Sequence, residues 1–130
     1  MNKITKRLLA LGLALSISVG AGGVSSFAES NKYTGTLNGY KTLATYSIDK
    51  YGAKASTSYG GNGLAEVVSN YSYLNMIYLY SRSVSKRARN KKSATVNFRA
   101  PNECYSIQMY NTHSVVSSGK SWEKTYLATY

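Results

Sequence analysis

Beyond residue 28 the chain alternates apolar and polar side chains in short runs, cut by asparagine- and glycine-bearing turns. A period of two is what a strand with one buried face requires. Wound into a helix, the same residues would scatter around the axis and leave no face to bury. The clearest unit is "YTGTL", Asn38-Gly39, "YKTLATYSI". Asn-Gly accepts the positive φ angles of a tight hairpin turn, and on the second strand Tyr40, Ala44, Tyr46 and Ile48 oppose Lys41, Thr45 and Ser47. Ala53, Ala55 and Tyr59 repeat the pattern after "DKYG", and "GGNG" at 60–63 is the strongest break. Next, Ala65, Val67, Tyr71 and Tyr73 share a face, and the continuation "YLNMIYLY" is apolar on both, which predicts a central, doubly covered strand. Ala94, Val96 and Phe98 alternate before Pro101. Tyr105, Ile107, Met109, His113 and Val115 form a further face, and Trp122, Tyr126, Ala128 and Tyr130 align after "SSGK". About seven short strands at this spacing predict an all-β domain, a single antiparallel β-sandwich of jelly-roll or immunoglobulin-like kind.

The opening of the chain has a different character. "MNKITKR" is positively charged, "LLALGLALSISVGAGGV" is apolar, and Ser26-Phe27-Ala28 sets small residues where a signal peptidase accepts only small side chains. We therefore expect a signal peptide at 1–28, cleaved after Ala28, and a secreted domain at 29–130, extracellular or held at the cell wall. The apolar run is short for a membrane span and is broken by Gly20, Gly22 and Gly23. With no second apolar segment after it, no transmembrane segment is expected in the mature chain.

Charge then narrows the partners. The leader holds three of the sixteen basic residues and none of the five acids, so the formal charge falls from +11 to +8 on its removal. A small exported domain with that excess is drawn to anionic surfaces, namely cell-wall polymers, lipid headgroups or a wall precursor. Export disfavours nucleic acid as the partner. Cys104 is the single cysteine, so no internal disulfide can staple the domain, and a buried, inert thiol is expected. One histidine and one cysteine cannot assemble a metal centre, and no cofactor is implied.

The densest charge lies in Arg82, Lys86, Arg87, Arg89, Lys91 and Lys92, with no acid between Glu66 and Glu103. Pairing of the flanking strands would make Lys86–Lys92 the tip of a long hairpin, where cations spread into water at little cost. The functional alternative is an electrostatic foot, each Lys or Arg adding about 1 kcal/mol near an anionic membrane. Thirteen tyrosines form the second feature. A rigid apolar body with a polar tip serves a thin core and a recognition surface alike. Tyr78 and Tyr80, nearest the basic tract, and Trp122 are the candidate aromatic contacts. His113 falls on an apolar face, as a hydrogen-bonded core histidine would. It lies nine residues from Cys104, roughly 30 Å at 3.3 Å per residue, too far for a thiol–imidazole dyad. The scattered acids mark no carboxylate pair, and no catalytic residue is assigned.

In its C-terminal half, the strand "KSATVN" and the later "GKSWEKTY" follow a leader and a small basic, tyrosine-rich β domain. Together these features resemble the lactococcin 972 family of secreted bacteriocins. Ser93–Val96 would correspond to that family's Ala-Thr-Val strand, and Gly119, Trp122 and Lys124 to its Gly/Trp/Lys element. The resemblance implies a β-sandwich that interferes with wall synthesis through lipid II; Cys104 and the basic tract depart from the family pattern. The reading that joins these features is a secreted, cationic, non-enzymatic protein binding an anionic component of a bacterial envelope, with a bacteriocin-like role as its sharpest form. Two alternatives use the same residues. One is a self-associating structural or matrix protein joined through strand edges. The other is a carbohydrate-binding module with aromatic platforms.

Overall fold

The computed structural model describes residues 29–130; the expected leader and its cleavage point lie outside the described residues. Eight strands follow one another without a helix: β1 (Glu29–Leu37), β2 (Tyr40–Asp49), β3 (Gly52–Tyr59), β4 (Leu64–Asn75), β5 (Ser81–Lys91), β6 (Ser93–Arg99), β7 (Cys104–Ser117) and β8 (Lys120–Thr129). They form two four-stranded sheets, β1-β2-β3-β6 and β5-β4-β7-β8, with every pair antiparallel. The all-β sandwich read from the alternation is the architecture found. Among the described residues no helix is long and apolar enough to cross a membrane.

The hairpin turns follow their residues. Asn38 and Gly39 both hold positive φ, 52° and 80°, so β1 turns straight into β2 with Leu37 opposite Tyr40. This twist matches that of the flanking strands. Tyr46, Ile48, Ala55, Val67, Tyr71, Val96, Phe98 and Met109 then meet between the sheets, and a smaller cluster of Leu37, Tyr59 and Val115 packs under Trp122.

Two sequence expectations change in position. The run "YLNMIYLY" is not one covered strand, because β4 ends at Asn75 and Met76–Tyr80 form an exposed connection to β5. The basic tract is not a hairpin tip either, because Arg82–Lys91 pair along β4 in β5, and only Lys92, at φ 64°, sits in the turn to β6. A bulge in β7, where Ser72 pairs with Gln108 but Tyr73 with Ser106, also turns Tyr105 off the core face. Cys104 and His113 consequently both point inward, yet remain nine residues apart on one strand, roughly 30 Å.

The edges decide what the surface can offer. β5 and β6 flank one open seam of the sandwich, β8 and β1 the other. Tyrosine closes the β1/β8 seam: the rings of Tyr33 and Tyr126 stack with centroids 3.9 Å apart, and the Glu29 carboxylate accepts from Thr129 N and Tyr46 Oη. Across the same seam the Trp122 indole lies over Gly35, where a Cβ would come within 2.5 Å of its nitrogen. A glycine inside a strand here marks the close approach of a neighbour.

Candidate functional site

β5 has one neighbour in its sheet and lies almost wholly in solvent. An edge strand needs only backbone pairing on one side, so its side chains are free of the apolar alternation demanded of a covered strand. Charged residues therefore occupy both of its faces. Arg82, Lys86 and Ala88 stand opposite Tyr73, Ser69 and Val67 and point toward the β5/β6 seam. Arg87, Arg89 and Lys91 stand opposite Val68, Glu66 and Leu64 and project from the outer face of the sheet.

Each cation has a distinct setting. Lys86 Nζ donates to the Asn97 carbonyl at 2.6 Å and lies 5.2 Å from the Phe98 ring centroid, so it spans the seam to the other sheet. Arg87 donates to the Glu66 carboxylate through Nε and Nη2 at 2.9 and 2.6 Å, and Arg89 Nε stands 3.7 Å from the same oxygen. The Arg87 side chain nevertheless keeps 63% of its surface in water. Exposed pairs of this kind are worth about 0–1 kcal/mol, and one carboxylate cannot neutralise six cations. Lys91 and Lys92 border a shallow recess with Asn62, Gly63 and Leu64. From Lys86 to Lys92 the tract is a positive edge, with Arg82 set apart from it by Ser83, Val84 and Ser85.

The aromatic candidates separate. Tyr78 and Tyr80 stack with centroids 6.5 Å apart, and the Arg82 guanidinium lies 5.2 Å from the Tyr80 ring, so these two adjoin the cationic edge. Trp122 is half-buried in β8, at the opposite edge of the same sheet, where it covers the second core cluster. It cannot share a contact surface with Tyr78.

His113 is fully buried and hydrogen-bonded, as its place on the apolar face suggested. Its Nδ1 lies 2.9 Å from Thr57 Oγ1, and that hydroxyl donates to the Glu66 carbonyl at 2.8 Å. With the hydroxyl proton committed, Nδ1–H is the donor to Thr57, and Nε2 has no partner among the described residues. Burial lowers the imidazole pKa from its ordinary value to about 4, because a charged ring there would be stripped of water, and a hydrogen bond with the Ser56 backbone offsets only part of that loss. Cys104 is buried too, and the Asn75 amide donates to its sulfur at 3.7 Å.

The feature that alternation missed is the apolar loop itself. Met76, Ile77, Tyr78, Leu79 and Tyr80 are consecutive and exposed, with Tyr78 and Leu79 at 74% and 73%. A run apolar on both faces reads equally as a covered strand or an uncovered loop. The discriminating residue is Asn75, whose side chain ends the strand by bonding the backbone ahead of it. Comparison with protein-family models gives no match to this chain, and comparisons with characterised proteins and with solved structures give none.

Proposed function

We propose that this protein is secreted and acts without catalysis, binding an anionic component of a bacterial envelope through the cationic edge formed by β5 and Lys92. A bacteriocin-like antibacterial action is the sharpest form of that reading. The observation that carries it is the exposure of Arg82, Lys86, Arg87, Arg89, Lys91 and Lys92 along one edge strand, with Glu66 the sole carboxylate paired to them among the described residues. A solubility device would work as well with mixed signs spread over the surface. Cations concentrated on one edge instead raise the local potential and draw in a polyanion. Self-association through this edge is opposed by the same charges.

The test is retention of the purified protein on bacterial cell walls, with and without their teichoic acid, and on anionic vesicles, across a salt series. Binding should weaken steeply with salt. The variant R87E/R89E/K91E/K92E should lose salt-sensitive retention at least tenfold. Reversal of Lys32, Lys41, Lys120 and Lys124, which lie on β1, β2 and β8, changes net charge equally and should cost far less. Equal losses would reduce the edge to bulk charge. Retention that survives high salt on insoluble glycan would favour sugar binding, and assembly without envelope binding would favour a matrix role.

A further inference from the structure

The β4–β5 loop presents five consecutive apolar residues at one end of the sandwich, and its backbone donors are satisfied up to Leu79. Asn75 Oδ1 accepts the N–H groups of Ile77 and Tyr78 at 2.9 and 2.8 Å. Leu79 N donates to Asn75 O, Asn75 N to Tyr80 O, and Met76 N to Glu103 O. Every backbone donor from Asn75 to Leu79 is thus satisfied within the protein. Satisfied donors remove part of the cost of moving a loop out of water, and the carbonyls of Met76–Leu79, which have no protein donor among the described residues, stay available to the hydrated headgroup layer of an interface. The geometry is held at some cost: Leu79 sits at φ 53°, a left-handed conformation rare for leucine, with its side chain turned out to solvent.

Around this tip stand aromatic and cationic groups. Tyr80 is covered by Arg82. At the same end Lys50 Nζ lies 4.1 Å from the Tyr105 centroid and 5.3 Å from that of the exposed Tyr51, tied there by Ser106 N donating to Lys50 O. Tyrosines at headgroup depth beside lysine and arginine are the ordinary furniture of a membrane–water interface. Asp49 and Glu103 also stand at this end with Lys50, Arg82 and Arg99, so the end itself carries little net charge. Attraction to an anionic bilayer must therefore come chiefly from Lys86–Lys91 of β5, the strand that runs directly out of the loop.

We infer that Met76–Tyr80 insert into the interfacial layer of an anionic lipid bilayer, while the β5 cations lie along its headgroups. This rests on the envelope-binding reading and names lipid as the component bound. A second copy of the chain is a poorer occupant, since a convex five-residue tip falls well short of the roughly 800 Å² per partner of a stable interface.

The probe is vesicles of phosphatidylglycerol and phosphatidylcholine, against phosphatidylcholine alone, with bromine on the acyl chains. In Tyr78→Trp the new indole should be quenched on binding anionic vesicles; the native Trp122, seated in the β1/β8 seam, should not be. The variant I77S/L79N keeps all charges, and asparagine suits the positive φ at 79. It should bind anionic vesicles at least tenfold more weakly with an unchanged salt slope. Salt-dependent vesicle binding with no quenching and no loss in I77S/L79N overturns the insertion and leaves the envelope reading standing, as does binding to walls but not to vesicles. Loop-dependent dimers without lipid overturn it in favour of a second copy. No salt-sensitive binding to walls or vesicles removes the envelope reading itself.

Discussion

His113 shows how one polar side chain fits inside a thin sandwich. The relay from Nδ1–H to the Thr57 hydroxyl and on to the Glu66 carbonyl links β7, β3 and β4, and so ties the two sheets together. It suits the neutral ring, since burial there disfavours a charged one. With its pKa lowered by burial to about 4, the folded protein binds the imidazole proton far later than the unfolded chain, which titrates near 6.5. Between these values the unfolded state holds more protons, so stability rises with pH and is lost as pH falls from about 6.5 toward 4. The loss at the lower end should approach about 3 kcal/mol by linkage. Urea midpoints at pH 7 and pH 4.5 measure it, and His113→Gln should flatten the difference. A midpoint indifferent to pH, or a slope kept by His113→Gln, would refute the neutral-ring account. The sequence placed His113 on an apolar face; it did not reveal Thr57 as its partner, because that contact joins strands in different sheets.

At the scale of the strand, the contrast between β2 and β5 explains what alternation can and cannot reveal. β2 has a neighbour on each side and a sheet over one face, so Ala44, Tyr46 and Ile48 must be apolar, and its period of two is legible. The backbone of β5 pairs with β4 alone, and that pairing is indifferent to side chains, so a charged tract reads as loop until its pairing is seen. Met76–Tyr80 fail in the opposite sense, since apolar content without a cover leaves the same pattern as a strand with two covers. The hairpins at Asn38-Gly39 and Ser118-Gly119 were readable because turn chemistry is local. Beyond any ligand, the β5 cations should also keep this open edge from pairing with another molecule, since charged edges resist strand addition. Replacing Lys86, Arg87, Arg89 and Lys91 with serine removes the charge and keeps the backbone donors. Sedimentation should then show concentration-dependent self-association absent from the native protein. A variant as monomeric as the native chain would mean that something other than charge guards the edge.

At the scale of the molecule, the sheets are stitched by pairs distant in sequence, Leu64 with Val116 and Gly52 with Arg99, so β3, β4 and β7 each gain one neighbour only when distant parts of the chain meet. Such non-local topologies fold slowly and lose their structure cooperatively. Nothing covalent supplements them, because Cys104 is the single cysteine and is free and buried. Its position makes it a reporter of that cooperativity. The thiol belongs to the main core beside Tyr71, Tyr73 and Phe98, and the Asn75 amide, which anchors the β4–β5 loop, lies over its sulfur. If the loop could lift alone, Cys104 would react with a thiol reagent at a rate indifferent to denaturant, since local opening exposes little surface. The Asn75 backbone and side chain are instead committed both to the loop and to β4, so uncovering the sulfur requires dismantling the end of β4 and its pairing with β7. Modification at pH 8 should therefore be slow in native buffer and fast in urea. The free energy of protection should fall with urea along the slope of global unfolding. Immediate reaction in native buffer, or a rate flat in urea, would show instead that this end of the sandwich opens on its own. In that case the loop would approach a bilayer as a mobile segment, and its satisfied backbone donors would no longer help to explain how it could enter one.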